Sequence, residues 1–200
     1  KEIIKTAYKK SNLKKLKSSH FAFHSGDNCN KKILVLLNAK DDKAYQYIKT
    51  AVNKGAIGII TDSKINEKKL NIKIPIFVLK KLALCLNSFL EYLYNDPLAN
   101  KFIIGVTGTD GKTSCVHLLA QSLEYLGKTI GIISSEGNGE YNNLKKNIYT
   151  TPPPHILFKY FSEFRKKNID IIIIECSSQG LDQNRLKNIQ FNQSIVTNVT

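Results

Sequence analysis

Apolar residues fall along this chain in short blocks of two kinds, and the two kinds alternate. The first kind is a continuous run, such as Ile33-Leu34-Val35-Leu36-Leu37, which has the length and branched content of a strand buried on both faces. The second recurs at helical spacing: Ala44, Tyr47, Ile48, Ala51 and Val52 line one face of a helix that Gly55 stops. Continuing in this way predicts a strand over 57–61, a polar lysine-rich loop over 64–73 and a strand over 74–79 that Pro75 interrupts early. Leu82, Leu86, Phe89, Leu90 and Leu93 then mark a further helix. Asn95-Asp96-Pro97 breaks the pattern with turn chemistry suited to a linker.

A second series begins at once. Residues 102–106 form a strand, 107–112 a glycine-containing loop, and Cys115, Val116, Leu119, Leu123 and Leu126 one face of a helix ended by Gly127. A strand follows over 129–133, then a polar stretch over 134–147 that reads as loop or weak hairpin. Pro152-Pro153-Pro154 opens a helix whose apolar face is Ile156, Leu157, Tyr160, Phe161 and Phe164. Residues 169–175 and 195–197 complete the series as strands. Strands alternating with helices predict an α/β fold: a small N-terminal α/β domain over 1–97, then a Rossmann-like, mostly parallel sheet domain over 98–200.

With 42% hydrophobic residues in a length of 200, the chain can bury a real core. No apolar run approaches the ~18 residues of a membrane span, and no charged-then-apolar leader opens the chain. A cytoplasmic protein with no membrane partner is therefore expected. Cys29, Cys85, Cys115 and Cys176 lie far apart, make no metal-ligand spacing with the histidines, and read as reduced thiols. The net charge of +14 raises the question of nucleic acid. Only Arg165 and Arg185 are arginines, however, and the remaining basic residues are lysines scattered among Asn and Ile. Bidentate phosphate and base contacts come from arginine, so no nucleic-acid partner is expected. A chain lacking an initiator Met and ending inside a strand and its loop is expected to be a piece of a longer one, truncated at the C-terminus.

The stretch with the most chemistry is Gly105-Val106-Thr107-Gly108-Thr109-Asp110-Gly111-Lys112-Thr113-Ser114. It lies between a strand and a helix, which is the setting of a P-loop. Glycines let backbone N–H groups turn toward phosphate oxygens, the helix start adds partial positive charge, Lys112 supplies a mobile cation, and the Thr113 hydroxyl can hold Mg²⁺. The generic P-loop spacing would put glycine at position 106, where valine stands.

T-G-T-x-G-K-[ST] is instead the variant of the Mur ligase family, and the chain resembles that family in two further stretches. These are Thr150-Thr151-Pro152 and the run from Glu175 to Arg185, Glu-Cys-Ser-Ser-Gln-Gly-Leu-Asp-Gln-Asn-Arg. Both are similar to segments of the family's tripeptide synthetases, which add the third amino acid to the UDP-muramyl precursor of peptidoglycan. Residues 23–37 and 41–60 resemble, more weakly, the small uridine-binding domain of those enzymes. The resemblance implies an ATP-dependent amide-bond-forming ligase acting through an acyl phosphate, with ATP and Mg²⁺ as cofactors. Its substrates would be UDP-muramyl dipeptide and an amino acid, and it would work as a monomer.

Carried over by position, Gly108, Thr109, Asp110, Gly111, Lys112, Thr113 and Ser114 bind ATP. Lys112 and Glu175 are the catalytic residues, and Thr113 and Glu175 hold the metal. Ser25, Thr150, Thr151, Ser177, Gln183 and Arg185 grip the nucleotide-linked substrate. A carboxylate leaving the end of a buried strand beside a phosphate loop is also what a shared metal ion requires. The chain departs from the family pattern at Gln179, where His is usual, at His24 and Gly26, where Asp and Arg are, and at Tyr149, where Asn is common.

The resemblance leaves meso-diaminopimelate and lysine both open as the third amino acid. It places the family's second-metal acid, its carbamylated lysine and its amino-acid-binding domain beyond Thr200, so this stretch alone is not expected to catalyse. Folylpolyglutamate and cyanophycin synthetases share the phosphate loop but match the later segment less well. A non-catalytic nucleotide-binding module and a basic nucleic-acid binder are the readings of other classes.

Overall fold

The computed structural model describes residues 16–37 and 42–199. Asp41, where one of the resembling stretches begins, and Thr200 lie outside them. The chain divides into two compact units, one running to Phe89 and the other from Leu90.

The first unit is built on a four-stranded sheet in sequential order, β1 (Phe21–Ala22), β2 (Ile33–Leu36), β3 (Gly58–Thr61) and β4 (Ile76–Val78). All neighbours run parallel, with Leu34 opposite Ile59 and Ile59 opposite Ile76. Parallel pairing needs crossover connections, and the helix Asp42–Asn53 supplies the one between β2 and β3. Its Ala44, Ile48 and Ala51 are buried, and Ile48 and Ala51 pack with Leu34 and Ile59 in the core. Strand β4 starts only after Pro75, whose missing N–H fits the beginning of a strand and whose carbonyl accepts from Ile59 N at 3.0 Å.

Two features of this unit differ from the sequence pattern. Residues 64–73 are not all loop, because Glu67–Leu70 makes a turn of helix that drives Leu70 into the core. The Lys69 ammonium meets Asp42 at 2.8 Å and lies 4.8 Å from the Tyr45 ring centre. Lysine density hid Leu70, which with Ile65 and Ile72 ties the segment to the core. The two-residue strand β1 was also not foreseen, since Phe21 and Ala22 carry no periodicity and are strand only by pairing with Ile33 and Leu34.

The second unit holds a six-stranded sheet in the order β10-β5-β9-β6-β7-β8. Its strands are β5 (Phe102–Thr107), β6 (Ile130–Ile133), β7 (Asn138–Glu140), β8 (Asn143–Lys145), β9 (Ile171–Glu175) and β10 (Gln193–Val196). The four strands β10, β5, β9 and β6 are parallel, and β7 and β8 add an antiparallel hairpin at one edge. The 134–147 stretch therefore resolves as a paired hairpin: Gly131 faces Glu140 and Asn138 faces Lys145. The helices Lys112–Tyr125 and Pro154–Lys166 pack on the sheet, burying Val116 and Ala120 from the first and Leu157, Phe158, Phe161 and Phe164 from the second. The later helix begins at Pro154, a position that loses nothing by lacking an N–H. A short helix, Ser178–Asp182, follows β9. The expected mixed α/β class with parallel sheets is the observed one.

Strand order decides where chemistry can gather. In an open parallel sheet, ligands bind beyond the carboxyl ends of the strands. The loops leaving β5, β6 and β9 all emerge at that edge, and the β9 end stands between the other two.

Candidate active site

The loop after β5 turns into a helix at Gly111, whose φ of 74° is left-handed and whose carbonyl accepts the first helical N–H, that of Cys115, at 2.9 Å. A helix begun this way leaves its opening N–H groups without partners inside it, and they point along the axis into the loop. Lys112 Nζ donates to the carbonyls of Gly108 and Thr109, both at 2.8 Å, so the ammonium sits over the loop itself. Ser114, in the same first turn, is exposed.

At the mouth of this loop stands Glu175, the last residue of β9. It is only 2% exposed, yet its carboxylate meets no cationic side chain among its described bonds. The Thr113 hydroxyl donates to Oε1 at 3.0 Å and lies 3.1 Å from Oε2. Ser135 adds its backbone N–H at 3.0 Å and its hydroxyl at 3.2 Å, both to Oε2, and its Oγ lies 2.9 Å from Thr113 Oγ1. A buried carboxylate and a hydroxyl on one point make a hard, oxygen-only donor set, which suits a Mg²⁺ that takes one or two protein ligands and fills its remaining positions with water and phosphate. Among the described residues no group of three or more His, Cys, Asp or Glu side chains is placed to hold a metal ion. Ser135 carries no motif; only the adjacency of β6 and β9 could have pointed to it.

Four of the residues expected to bind substrate converge around Thr151. Its hydroxyl donates to the Glu175 carbonyl at 2.6 Å and accepts from Ser177 N at 2.9 Å, and the Ser177 hydroxyl lies 3.0 Å from it. Ser177 in turn caps the helix Ser178–Asp182 by accepting from Gly180 N at 3.1 Å. Thr151 is buried, and these bonds occupy its hydroxyl; both threonine and serine act within the fold as a clasp between the Thr-Thr-Pro segment and the end of β9. The Arg185 guanidinium donates to the Thr151 carbonyl at 2.6 Å and to Gln183 Oε1 through Nη2 at 2.6 Å and Nε at 3.0 Å. Its carbon also lies 5.6 Å from the Tyr149 ring centre. The residue that departs from the family pattern thus supports an arginine. Thr150, beside Thr151, is half-buried, and Gln179 is exposed on the short helix.

Ser25 belongs to the first unit. It is buried, and Lys54 Nζ donates to the carbonyls of Ser25 and Gly26, both at 2.9 Å. His24 Nδ1 accepts from Gly26 N at 2.9 Å, so the two departures flanking Ser25 bond to each other.

Cys176, next to Glu175, is buried. Burial pushes its thiol up to about 12, the neighbouring Glu175 charge adds to the rise, and a backbone bond with Val106 opposes it only in part. All four cysteines are free.

Residues 106–200 match the model of the Mur ligase middle domain. The chain is 34% identical over 193 residues to the UDP-N-acetylmuramoyl-L-alanyl-D-glutamate–2,6-diaminopimelate ligase of Buchnera aphidicola subsp. Schizaphis graminum, which covers 94% of this chain and 39% of that protein. It is 34% identical over 154 residues to the ligase of the same name from Coxiella burnetii, covering 77% of this chain and 32% of the other. The chain therefore spans between 32% and 39% of the length of these two relatives. A solved structure of a ligase of that name superposes with a TM-score of 0.72 at 22% identity, over 90% of this chain and 36% of the other, and so shares the fold. A phosphate loop of the T-G-T-x-G-K-T form, a strand-end glutamate on its threonine, the domain match and these relatives together establish that the chain belongs to the Mur ligase family.

Proposed function

We propose that this chain carries the ATP-binding and uridine-binding parts of a ligase that joins 2,6-diaminopimelate to UDP-N-acetylmuramoyl-L-alanyl-D-glutamate. The observation that carries the reading is the meeting of the buried Glu175 carboxylate with the Thr113 hydroxyl at the phosphate loop. The reaction named for the two relatives supports the choice of acceptor and of amino acid. In this reading residues 1–97 serve the UDP end, with Ser25 on the uridine side, and residues 98–200 serve the ATP.

The reaction has two steps. An oxygen of the acceptor's carboxylate attacks the γ-phosphorus of ATP, the bond to the bridging oxygen breaks, and ADP leaves. The amine of the incoming amino acid then attacks the acyl carbon, loses a proton, and expels phosphate. Gly108 to Ser114 hold the triphosphate, and Lys112, whose ammonium already reaches the loop carbonyls, follows the charge that spreads over the transferring group. Thr113 and Glu175 would hold Mg²⁺, which supplies charge neutralisation on the phosphoryl oxygens when bound. Arg185, braced by Gln183, Thr151 and Tyr149, offers a planar donor to the anionic acceptor, and Thr150 lines the same segment. Thr151 and Ser177 serve that site by holding its walls together. The supply of ATP and of a nucleotide-linked precursor points to the cytoplasm, and no helix among the described residues is long and apolar enough to cross a membrane.

The test is phosphate release from ATP by the full-length enzyme. Release should require both UDP-muramyl dipeptide and diaminopimelate, and lysine should not replace the latter. Release indifferent to the acceptor would reject the reading.

A further inference from the structure

The segment that follows β10 closes over the phosphate loop. Thr197 N–H donates to the Thr107 carbonyl at 2.9 Å, which carries the β10–β5 pairing one residue past Val196. The Thr197 hydroxyl then reaches the Asp110 carbonyl at 2.5 Å. Asn198 takes two N–H groups of the loop: its main-chain carbonyl accepts from Thr109 N at 3.2 Å, and its side-chain Oδ1 accepts from Asp110 N at 2.9 Å. The two segments touch so closely that a Cβ on Gly108 would fall 2.1 Å from Thr197 Oγ1 and 2.9 Å from the Asn198 carbonyl. Gly108, with a φ of 139°, is thus fixed by this contact as well as by its backbone angle.

From this arrangement we propose that Asn198 is a positioning residue for nucleotide binding, holding the phosphate loop in its binding shape from a segment remote in sequence. The inference rests on the reading of 108–114 as the ATP site and divides that stretch in two. Thr109 and Asp110 spend their N–H groups on Asn198 and so shape the loop. The N–H groups at the start of the helix, from Gly111 to Ser114, are the ones that face phosphate. A loop bearing glycines on both sides of Thr109 and Asp110 has much conformational freedom to lose when it closes on a ligand. A side chain that removes this freedom beforehand lowers the cost of binding. Asp110 is exposed, so its N–H would be taken by water without Asn198, and the fold as a whole would lose little.

The experiment uses the full-length protein and compares Asn198→Ala and Asn198→Asp with the unaltered chain. Affinity for ADP with Mg²⁺, affinity for UDP-muramyl dipeptide and the thermal midpoint are measured for each. Asn198→Ala should weaken ADP binding by about fivefold, the worth of one hydrogen bond of ordinary net strength, while acceptor affinity and midpoint stay unchanged. Asn198→Asp keeps an acceptor for Asp110 N–H and should recover most of the loss. Unchanged ADP affinity in Asn198→Ala overturns the proposal, and so does a loss of ADP and acceptor together with a lowered midpoint. If the alanine variant fails to fold, the aspartate variant decides: ADP bound near the unaltered strength supports the role, and ADP lost contradicts it. An unaltered protein that bound no ADP would instead overturn the nucleotide-binding reading on which the proposal rests.

Discussion

At the scale of the residue, Lys112 and Thr151 make opposite predictions. Among the described hydrogen bonds the Lys112 ammonium donates to loop carbonyls, so its replacement should cost little structure. On the proposed role, Lys112→Ala in the full-length enzyme should lower turnover by orders of magnitude through loss of a cation that follows the γ-phosphoryl group, while ADP affinity, which would rest on the remaining N–H groups, should weaken far less. Turnover and ADP titration on the same variant check this. Thr151→Val keeps the shape but removes the hydroxyl that serves the Glu175 carbonyl and Ser177 N. One buried and one part-buried polar group then lose this partner, and about 1–3 kcal/mol of stability should be lost, read from the denaturant midpoint. Gln179→His, on an exposed helical position, should leave both measurements unchanged. Thr113 was legible from the phosphate-loop pattern, and Glu175 from the family resemblance together with its place at the end of a buried strand; the structure sets the one at the start of a helix and the other at the end of β9, within hydrogen-bond distance. Ser135 was not: it contributes a backbone N–H as much as a hydroxyl, and any residue placed there by the neighbouring strand would supply the former.

At the scale of the element, the strands buried on both faces were read from their apolar runs, and β9 was found within two residues of its start. The elements missed are those whose order comes from partners: β1, the helix Ser178–Asp182 and the 67–70 turn. In the run 178–182, Gly180 looks like a breaker, yet the Ser177 cap and the close fit of Gly180 against Thr151 make the helix, because a Cβ there would lie 2.7 Å from Thr151 Cβ. Burial just past the end of β9 also sets thiol behaviour. Cys176 should resist alkylation at about pH 8 while exposed Cys85 reacts, since only a thiolate attacks. Mass mapping after a short pulse reads this out. Because the folded Cys176 keeps its proton up to about 12 and an unfolded one loses it from about 8.5 upward, its contribution to stability is full below the lower value and falls as pH rises through that window. Within the helix Pro154–Lys166, Phe161 is fully buried, and Phe161→Ala should cost about 3–5 kcal/mol.

At the scale of the whole molecule, two separate sheets, one all-parallel and one mostly parallel, follow from one repeated pattern, strand then helix, interrupted at Asn95-Asp96-Pro97. The pattern shows the two series but not their strand orders, because pairing between β5 and β9 joins residues far apart along the chain. The charge of +14 follows from lysine content. In the proposed reaction a phosphoryl group passes to a carboxylate, and one isotope measurement reads that transfer directly. The full-length enzyme is given acceptor whose reacting carboxylate carries ¹⁸O, together with ATP, Mg²⁺ and diaminopimelate, and the released phosphate is analysed by mass. Passage through an acyl phosphate predicts one ¹⁸O atom from the acceptor in each phosphate released; phosphate carrying oxygen only from ATP and water would contradict it.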